Sequence, residues 1–383
     1  MRRPYYLKQI ELQFKVHPVC ALLGPRQVGK ATLARMYADH HQSDKIQFFD
    51  LENPLDLAQF ENPLMTLSRF SGYLIVIDEI QLRPDLFSVL RVLVDQKEKK
   101  NKFLILGSAS RDLIRQSSET LAGRIGFIEL TPFSLTETHD IQKLWLRGGF
   151  PRSFLADNEE ESTLWRKSYI TTFLERDIPA LGFQIPPQNI RRFWMMLAHY
   201  HGQNLNSSDL GRSLDISNQT VRKYVDILRG TFMVRELMPW FENLGKRQVK
   251  SSKIYFRDSG LLQTLTGIEN MSQLYVHPKL GAFWEGFALE EIIRSLHASA
   301  EDCYFWATQG GAELDLMVMN KGERFGFEFK YTDSPRITPS MKIALNDLQL
   351  KHLYVIIPGD AGFPLDERIT VCGLKMVPEI KTD

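Results

Sequence analysis

Cysteine is scarce. The 383 residues hold three, Cys20, Cys303 and Cys372, widely spaced and odd in number. They can build neither a disulfide framework nor a cysteine-based zinc site, which suits a reducing cytosol. Net charge is scarce too: 47 Lys and Arg face 46 Asp and Glu, leaving +1. That excludes a globally basic nucleic-acid coat and an acidic tail protein, though not a local basic face. Long apolar runs are missing, since stretches such as Tyr73 to Ile77 fall far short of the ~20 residues of a membrane span. The opening MRRPYYLKQIELQF has basic residues but no apolar block or small-residue cleavage site behind them, unlike a signal peptide. Internal repeats and low-complexity linkers are absent. The nine histidines suggest no metal site: His40-His41 lies at a helix end, and His199-Tyr-His201 has no carboxylate near it in sequence.

What is present is an ordinary globular mixture, 43% apolar and 24% charged, in a chain too long for one core. At roughly 150 residues per domain, two to three domains are expected. Up to about residue 130, short β-rich runs (VCALLG, KIQFFDL, LIVIDE, FLILGS, FIEL) alternate with helical patterns such as LFSVLRVLVDQKEKK. Near-continuous apolar strands separated by helices predict a parallel sheet covered on both faces. Residues 144–203 read as a helical subdomain. Residues 204–265 read as two short helices with a tight turn and then a hairpin, the winged helix-turn-helix plan. From about residue 266, a helix and the strands CYFWAT, ELDLMVM, RFGFEFKY and LYVIIP predict a second α/β unit. The fold class is thus α/β and multidomain, with a nucleotide-type domain over 1–143.

Residues 24–31 read GPRQVGKA between a strand and a helix. This is the G-x-x-x-x-G-K phosphate loop: backbone N–H groups curl around phosphate oxygens, the helix N-terminus adds its positive end, and Lys30 reaches the β and γ phosphates. Gly24, Arg26, Gln27, Val28, Gly29, Lys30, Ala31 and Thr32 are the candidate ATP or ADP contacts. The last position ordinarily carries a hydroxyl on Mg²⁺, and here it is Ala31. Thr32 is no simple substitute, because one step along a helix turns the side chain by ~100°. Nucleotide binding is therefore expected, with weakened hydrolysis. In LIVIDE, Asp78 would hold the Mg²⁺ shell and Glu79 would orient the attacking water. Ser108 would stand beside the γ-phosphate if its strand neighbours that of Asp78. Arg124 is either a surface arginine or an arginine finger linking copies of the chain in a homo-oligomer.

GPRQVGK, FDLENP, VIDEIQLRPDL, the LGS strand end, LAGR and ELTPFSLTE resemble the bacterial and archaeal AAA+ ATPases of the P-loop superfamily. LRGGFP, FLERDI and KSSKIYFRDSGLL resemble the second half of the group fused to a C-terminal domain of unknown function. The resemblance implies an AAA+ core, a winged helix and a C-terminal domain similar to PD-(D/E)XK nucleases. Ala31 departs from it, where the family usually has Thr.

Strand alternation sets Glu313 and Asp315 on one face of ELDLMVM, and Glu328 and Lys330 on one face of RFGFEFKY. This is similar to a nuclease core, in which Asp315 and Glu328 would hold Mg²⁺, Lys330 would position water and Glu285 would add a ligand. A cross-strand salt-bridge patch is the competing reading. Asn218, Gln219, Thr220, Arg222 and Lys223 open the expected recognition helix, and Lys246, Arg247, Lys250, Lys253 and Arg257 gather where a wing would lie. These suit DNA phosphates and base edges, or else a solvated docking module. The leading function is a nucleotide-dependent ATPase acting on DNA with a nuclease-like effector. The alternatives are a nucleotide-binding docking protein with an inert C-terminal domain, and an ATPase that handles proteins.

Overall fold

The five apolar runs near the N-terminus become five parallel strands, and all but the largely exposed one at residues 45–50 carry buried side chains on both faces. The computed structural model describes residues 1–40, 45–96, 101–110, 121–242 and 248–379. They fall into two compact units. The first comprises Met1–Pro132, Arg176–Gln184 and Gly230–Phe232, and the second comprises Phe133–Glu175, Ile185–Arg229 and Met233–Asp383.

In the first unit the strands are β1 (Val19–Leu23), β2 (Lys45–Asp50), β3 (Tyr73–Asp78), β4 (Lys102–Gly107) and β5 (Ile125–Glu129). They stand in the order β2-β3-β4-β1-β5, all parallel. Alternate side chains of β1 feed two cores. Val19, Ala21 and Leu23 join Leu86, Phe87, Leu90 and Leu93 of α5 (Leu86–Val94), whereas Cys20 and Leu22 join a layer from α1 (Pro4–Val16) and α2 (Lys30–His40). The helices α3 (Pro54–Gln59) and α4 (Pro63–Ser68) link β2 to β3, each capped by an asparagine, Asn53 and Asn62. Being parallel, the strands bring all their C-terminal ends to one edge, where α/β sheets place ligand chemistry.

The first long helices of the second unit are α6 (Ile141–Arg147), α7 (Glu159–Thr172) and α8 (Pro187–Ala198). There follow β6 (Gln203–Asn204), α9 (Ser207–Leu214), α10 (Asn218–Gly230), β7 (Val234–Pro239) and β8 (Lys253–Phe256). The two helices and the hairpin stand where the sequence placed them. A turn at Asp215, in the left-handed region at φ 57°, ends α9. After α11 (Ser259–Leu265) and α12 (Leu280–Ser295) come β9 (Cys303–Ala307), β10 (Glu313–Asn320), β11 (Glu323–Phe329), α13 (Pro339–Asp347), β12 (His352–Ile357), β13 (Gly362–Asp366) and β14 (Ile369–Gly373). The expected division near residue 265 does not separate two sheets. β7 pairs with β9, so β6, β7 and β8 continue into one nine-stranded mixed sheet, β13-β14-β12-β11-β10-β9-β7-β8-β6. Among the described residues no helix is long and apolar enough to cross a membrane.

Candidate functional site

The loop from Gly24 to Gly29 leaves the end of β1 and enters α2 at Lys30. Its shape needs two left-handed residues, Gln27 at φ 60° and Gly29 at φ 98°. A side chain at Gly29 would meet nothing within 4 Å, so backbone conformation rather than crowding calls for glycine there. At Gly24 the reason is contact: an added Cβ would lie 2.2 Å from the Leu130 carbonyl oxygen. Val28 anchors the loop in the core. Lys30 is buried, and its ammonium donates to the carbonyls of Gly24 (3.0 Å) and Pro25 (2.9 Å). Burial lowers its pKa, against the opposing pull of Glu79 and Asp78. Ala31 packs against the core and Thr32 is exposed, so the two positions do point differently.

β3 ends in Asp78, and Glu79 then adopts a left-handed turn at φ 55°. Asp78 Oδ1 accepts from the Glu79 N–H at 2.9 Å. Burial, helped by Glu79 and opposed by Lys30, pushes the Asp78 carboxyl up to about 6. β4 does lie beside β3, and it brings Ser108 to Glu79, with the hydroxyl donating to Glu79 Oε2 at 3.1 Å. Gln81 completes this group: its Nε2 donates to Glu79 Oε2 and to Ser108 Oγ (2.8 Å). Arg26 projects from the loop into two acids. It donates to Asp177 Oδ1 at 2.5 Å and to both oxygens of Glu52 at 2.7 and 3.0 Å. Arg124 is not brought to this site. It precedes β5 at the opposite edge of the sheet, where it pairs with Asp95 at 2.7 Å.

The second candidate site stands on β10 and β11. One step beyond the pair Leu316–Phe327, Asp315 and Glu328 come side by side, both buried. Asp315 Oδ2 accepts from the Phe329 N–H at 3.0 Å, and Lys330 donates to Glu328 Oε1 at 2.8 Å. Glu328 Oε2 has no partner among the described residues. Glu285 reaches in from α12 and accepts from the Tyr255 hydroxyl at 2.5 Å. Burial and the neighbouring Asp315 push Glu285 up to about 7 and Glu328 up to about 8. Lys253, expected on a wing facing phosphates, is instead buried here, paired with Glu313 and 3.7 Å from Glu285. Burial acts against its charge, but Glu285, Asp315 and Glu313 more than offset that and hold its pKa above the usual lysine value. Among the described residues no three His, Cys, Asp or Glu side chains are grouped so as to hold a metal ion alone. A cation at Asp315 and Glu328 would therefore complete its shell with water or substrate oxygen.

The other wing and recognition cations divide. Arg222 pairs with Glu236 at 3.0 Å, and Arg257 lies 3.8 Å from Glu290. Asn218, Gln219, Lys223 and Lys250 are exposed, Thr220 is half-buried, and Lys246 and Arg247 lie outside the described residues.

Comparison with known proteins places names on these segments. Residues 16–139 match the model of an AAA domain, residues 138–272 a domain of unknown function (DUF8612), and residues 280–377 another (DUF4143). Two mycobacterial relatives, uncharacterized protein Rv2008c of Mycobacterium tuberculosis and uncharacterized protein Mb2031c of Mycobacterium bovis, are each 49% identical over 92% of this chain and 79% of their own length. The chain belongs to their family, and its residues 16–139 are an AAA domain. Among solved structures it resembles the Walker-type ATPase paby2304 of Pyrococcus abyssi (TM-score 0.47, 15% identity, 69% of this chain and 95% of that one). It also resembles the RuvB Holliday junction branch migration motor of Thermotoga maritima (TM-score 0.31, 17% identity, 62% and 90%). Scores of this size carry no functional weight.

Sequence reasoning missed Gln81, Glu52 and Asp177 as members of the first site. The stretches VIDEIQLRPDL, FDLENP and FLERDI contained them, but none follows a spacing rule. Asp177 stands 151 residues from its partner Arg26.

Proposed function

We propose that this AAA-domain protein is a Mg²⁺-dependent ATPase whose second unit is directed at DNA. One observation carries the ATPase reading: Glu79, fixed by Ser108 and Gln81, stands next to Asp78 at the strand end that Lys30 also faces. The residues fit the nucleotide. Among the described residues Lys30 is bonded only to backbone carbonyls, bonds that a phosphate oxygen can replace, and Gly29 leaves open space beside the loop. Asp78 would hold Mg²⁺, which supplies charge neutralisation at the β and γ phosphates. Glu79 would orient the attacking water, and Ser108 and Gln81 keep its carboxylate in one position. Arg124 would serve only a neighbouring copy of the chain.

For DNA, the support is the order α8-β6-α9-α10-β7-β8, which is that of a winged helix, and the exposed Asn218, Gln219, Lys223 and Lys250. The carboxylates Asp315, Glu328 and Glu285 with Lys330 keep the nuclease-like reading of the C-terminal segment. A docking protein with an inert C-terminal segment is the second reading, favoured by Lys253 already paired with Glu313 and Lys330 with Glu328. Turnover of ATP measured with and without duplex DNA separates them. The first reading expects stimulation that fades as salt rises, with about 0.9 in log–log slope for each phosphate neutralised. Turnover indifferent to every nucleic acid form favours docking.

A further inference from the structure

The loop that would wrap the phosphates carries a guanidinium that no phosphate-loop rule requires. Arg26 is the third residue of GPRQVGK, inside the turn between Gly24 and Gly29, and its side chain is 16% exposed. Arg26 feels the charges of Asp177, Glu52 and Glu79, and Lys30 those of Glu79, Asp78, Arg26 and Asp177. Its planar fork is satisfied by acids: one nitrogen on Asp177, another on both oxygens of Glu52. A fork that matches carboxylate oxygens also matches phosphate oxygens.

We propose that Arg26 is the catalytic arginine of its own chain, held by Asp177 and Glu52 until a terminal phosphate takes their place. The proposal rests on the ATPase reading above and assigns a residue within it. Three observations favour it. Arg124, the arginine that the sequence suggested, lies at the far edge of the sheet with Asp95. Glu52 keeps a partner when Arg26 leaves, because Arg176 also reaches its Oε1 at 3.2 Å. Burial raises the Asp177 carboxyl and Arg26 offsets this only in part, so ionised Asp177 keeps a desolvation cost beside Arg26. The chemistry also calls for it: with Ala31 in place of a hydroxyl that would fix Mg²⁺, a cation near the γ-phosphate has more developing charge left to stabilise. No covalent step passes through Arg26. It binds phosphate oxygen as the bond to the leaving ADP breaks and water attacks.

The test compares wild type with Arg26→Gln, Arg26→Lys and Asp177→Asn. Calorimetry gives affinities for ADP and for a non-hydrolysable ATP analogue, both with Mg²⁺, and steady-state assays give kcat and KM. For Arg26→Gln the expected result is an ADP affinity within about threefold of wild type, loss of the preference for the ATP analogue, and kcat down at least about a hundredfold. Arg26→Lys should recover part of the affinity but little of kcat, since an ammonium lacks the fork. Asp177→Asn should tighten the ATP analogue and leave ADP unchanged. Two results overturn the proposal alone: Arg26→Gln with the wild-type kcat and ATP-to-ADP ratio, or Arg26→Gln losing ADP affinity and melting temperature together, which marks a structural role. A wild type that binds neither nucleotide overturns the ATPase reading and this one with it.

Discussion

Both candidate sites set lysines near carboxylates, yet they hold those lysines differently. Lys30 of the first unit donates to two backbone carbonyls and, among the described residues, forms no ion pair. Lys253 and Lys330 of the second unit are bonded to Glu313 and Glu328. A cation resting on neutral carbonyls keeps its charge available to an incoming phosphate. A cation paired with carboxylates has already been matched, and anything that binds there must compete with it. In the proposed function the first site receives an anion. Among the described residues the second balances itself, apart from Glu328 Oε2, which has no partner.

Breaking the chemistry of the first site alone should give the largest effect. Glu79→Gln keeps the shape of the side chain and its contacts with Ser108 and Gln81, but removes the carboxylate. Turnover should fall about a hundredfold or more, while ATP affinity measured by calorimetry stays within a few fold. Loss of affinity in step with turnover would mean that Glu79 shapes the loop and does not orient water.

Ala31→Thr should give a smaller change of opposite sign. Most ground-state affinity comes from backbone N–H groups and Lys30, which residue 31 does not touch. A hydroxyl there would fix Mg²⁺ more firmly as the β–γ bridge breaks, so it should raise turnover about tenfold, or ~1.4 kcal/mol. An unchanged rate would mean that water already does the work of the hydroxyl.

The smallest effect sharpens the contrast from the other side. In the second site the folded pKa values of Glu285 and Glu328 lie above their ordinary 4.5, at about 7 and about 8. The folded protein therefore binds protons that the unfolded chain has released, and stability falls as pH rises from about 4.5 towards 8. Without divalent metal, the melting temperature should drop by about 3 °C or more between pH 5.5 and 8.5, and Glu328→Gln should flatten that dependence. A melting temperature that rises over this range would contradict the burial of these acids.

What the sequence revealed and what it hid follow one physical division. β1, the loop to Lys30, and β3 ending at Asp78 were legible because phosphate chemistry fixes residue types at short spacing between a strand and a helix. The strands of the second unit were legible from β7 to β12, whereas the two-residue β6, the mostly exposed β13 and the short β14 beside it left no clear run. Lys253 was misplaced for a related reason. A run of basic residues in a hairpin reads as a solvated wing, and only the pairing of β7 with β9 reveals that β8 carries this lysine beside Glu313 and Glu285. Arg124 differs: it precedes β5, and in an all-parallel sheet that position alone sets it at the edge opposite Asp78.

The central claim is that the loop of the first unit binds nucleotide through Lys30. Calorimetric titration of Mg²⁺-ATP into wild type and Lys30→Ala tests it most directly, with the melting temperature of each confirming that both are folded. The account predicts saturable binding by wild type and an affinity at least about a hundredfold weaker in the variant, ~2.7 kcal/mol. Equal affinity in the two proteins, or none in the wild type, would contradict it.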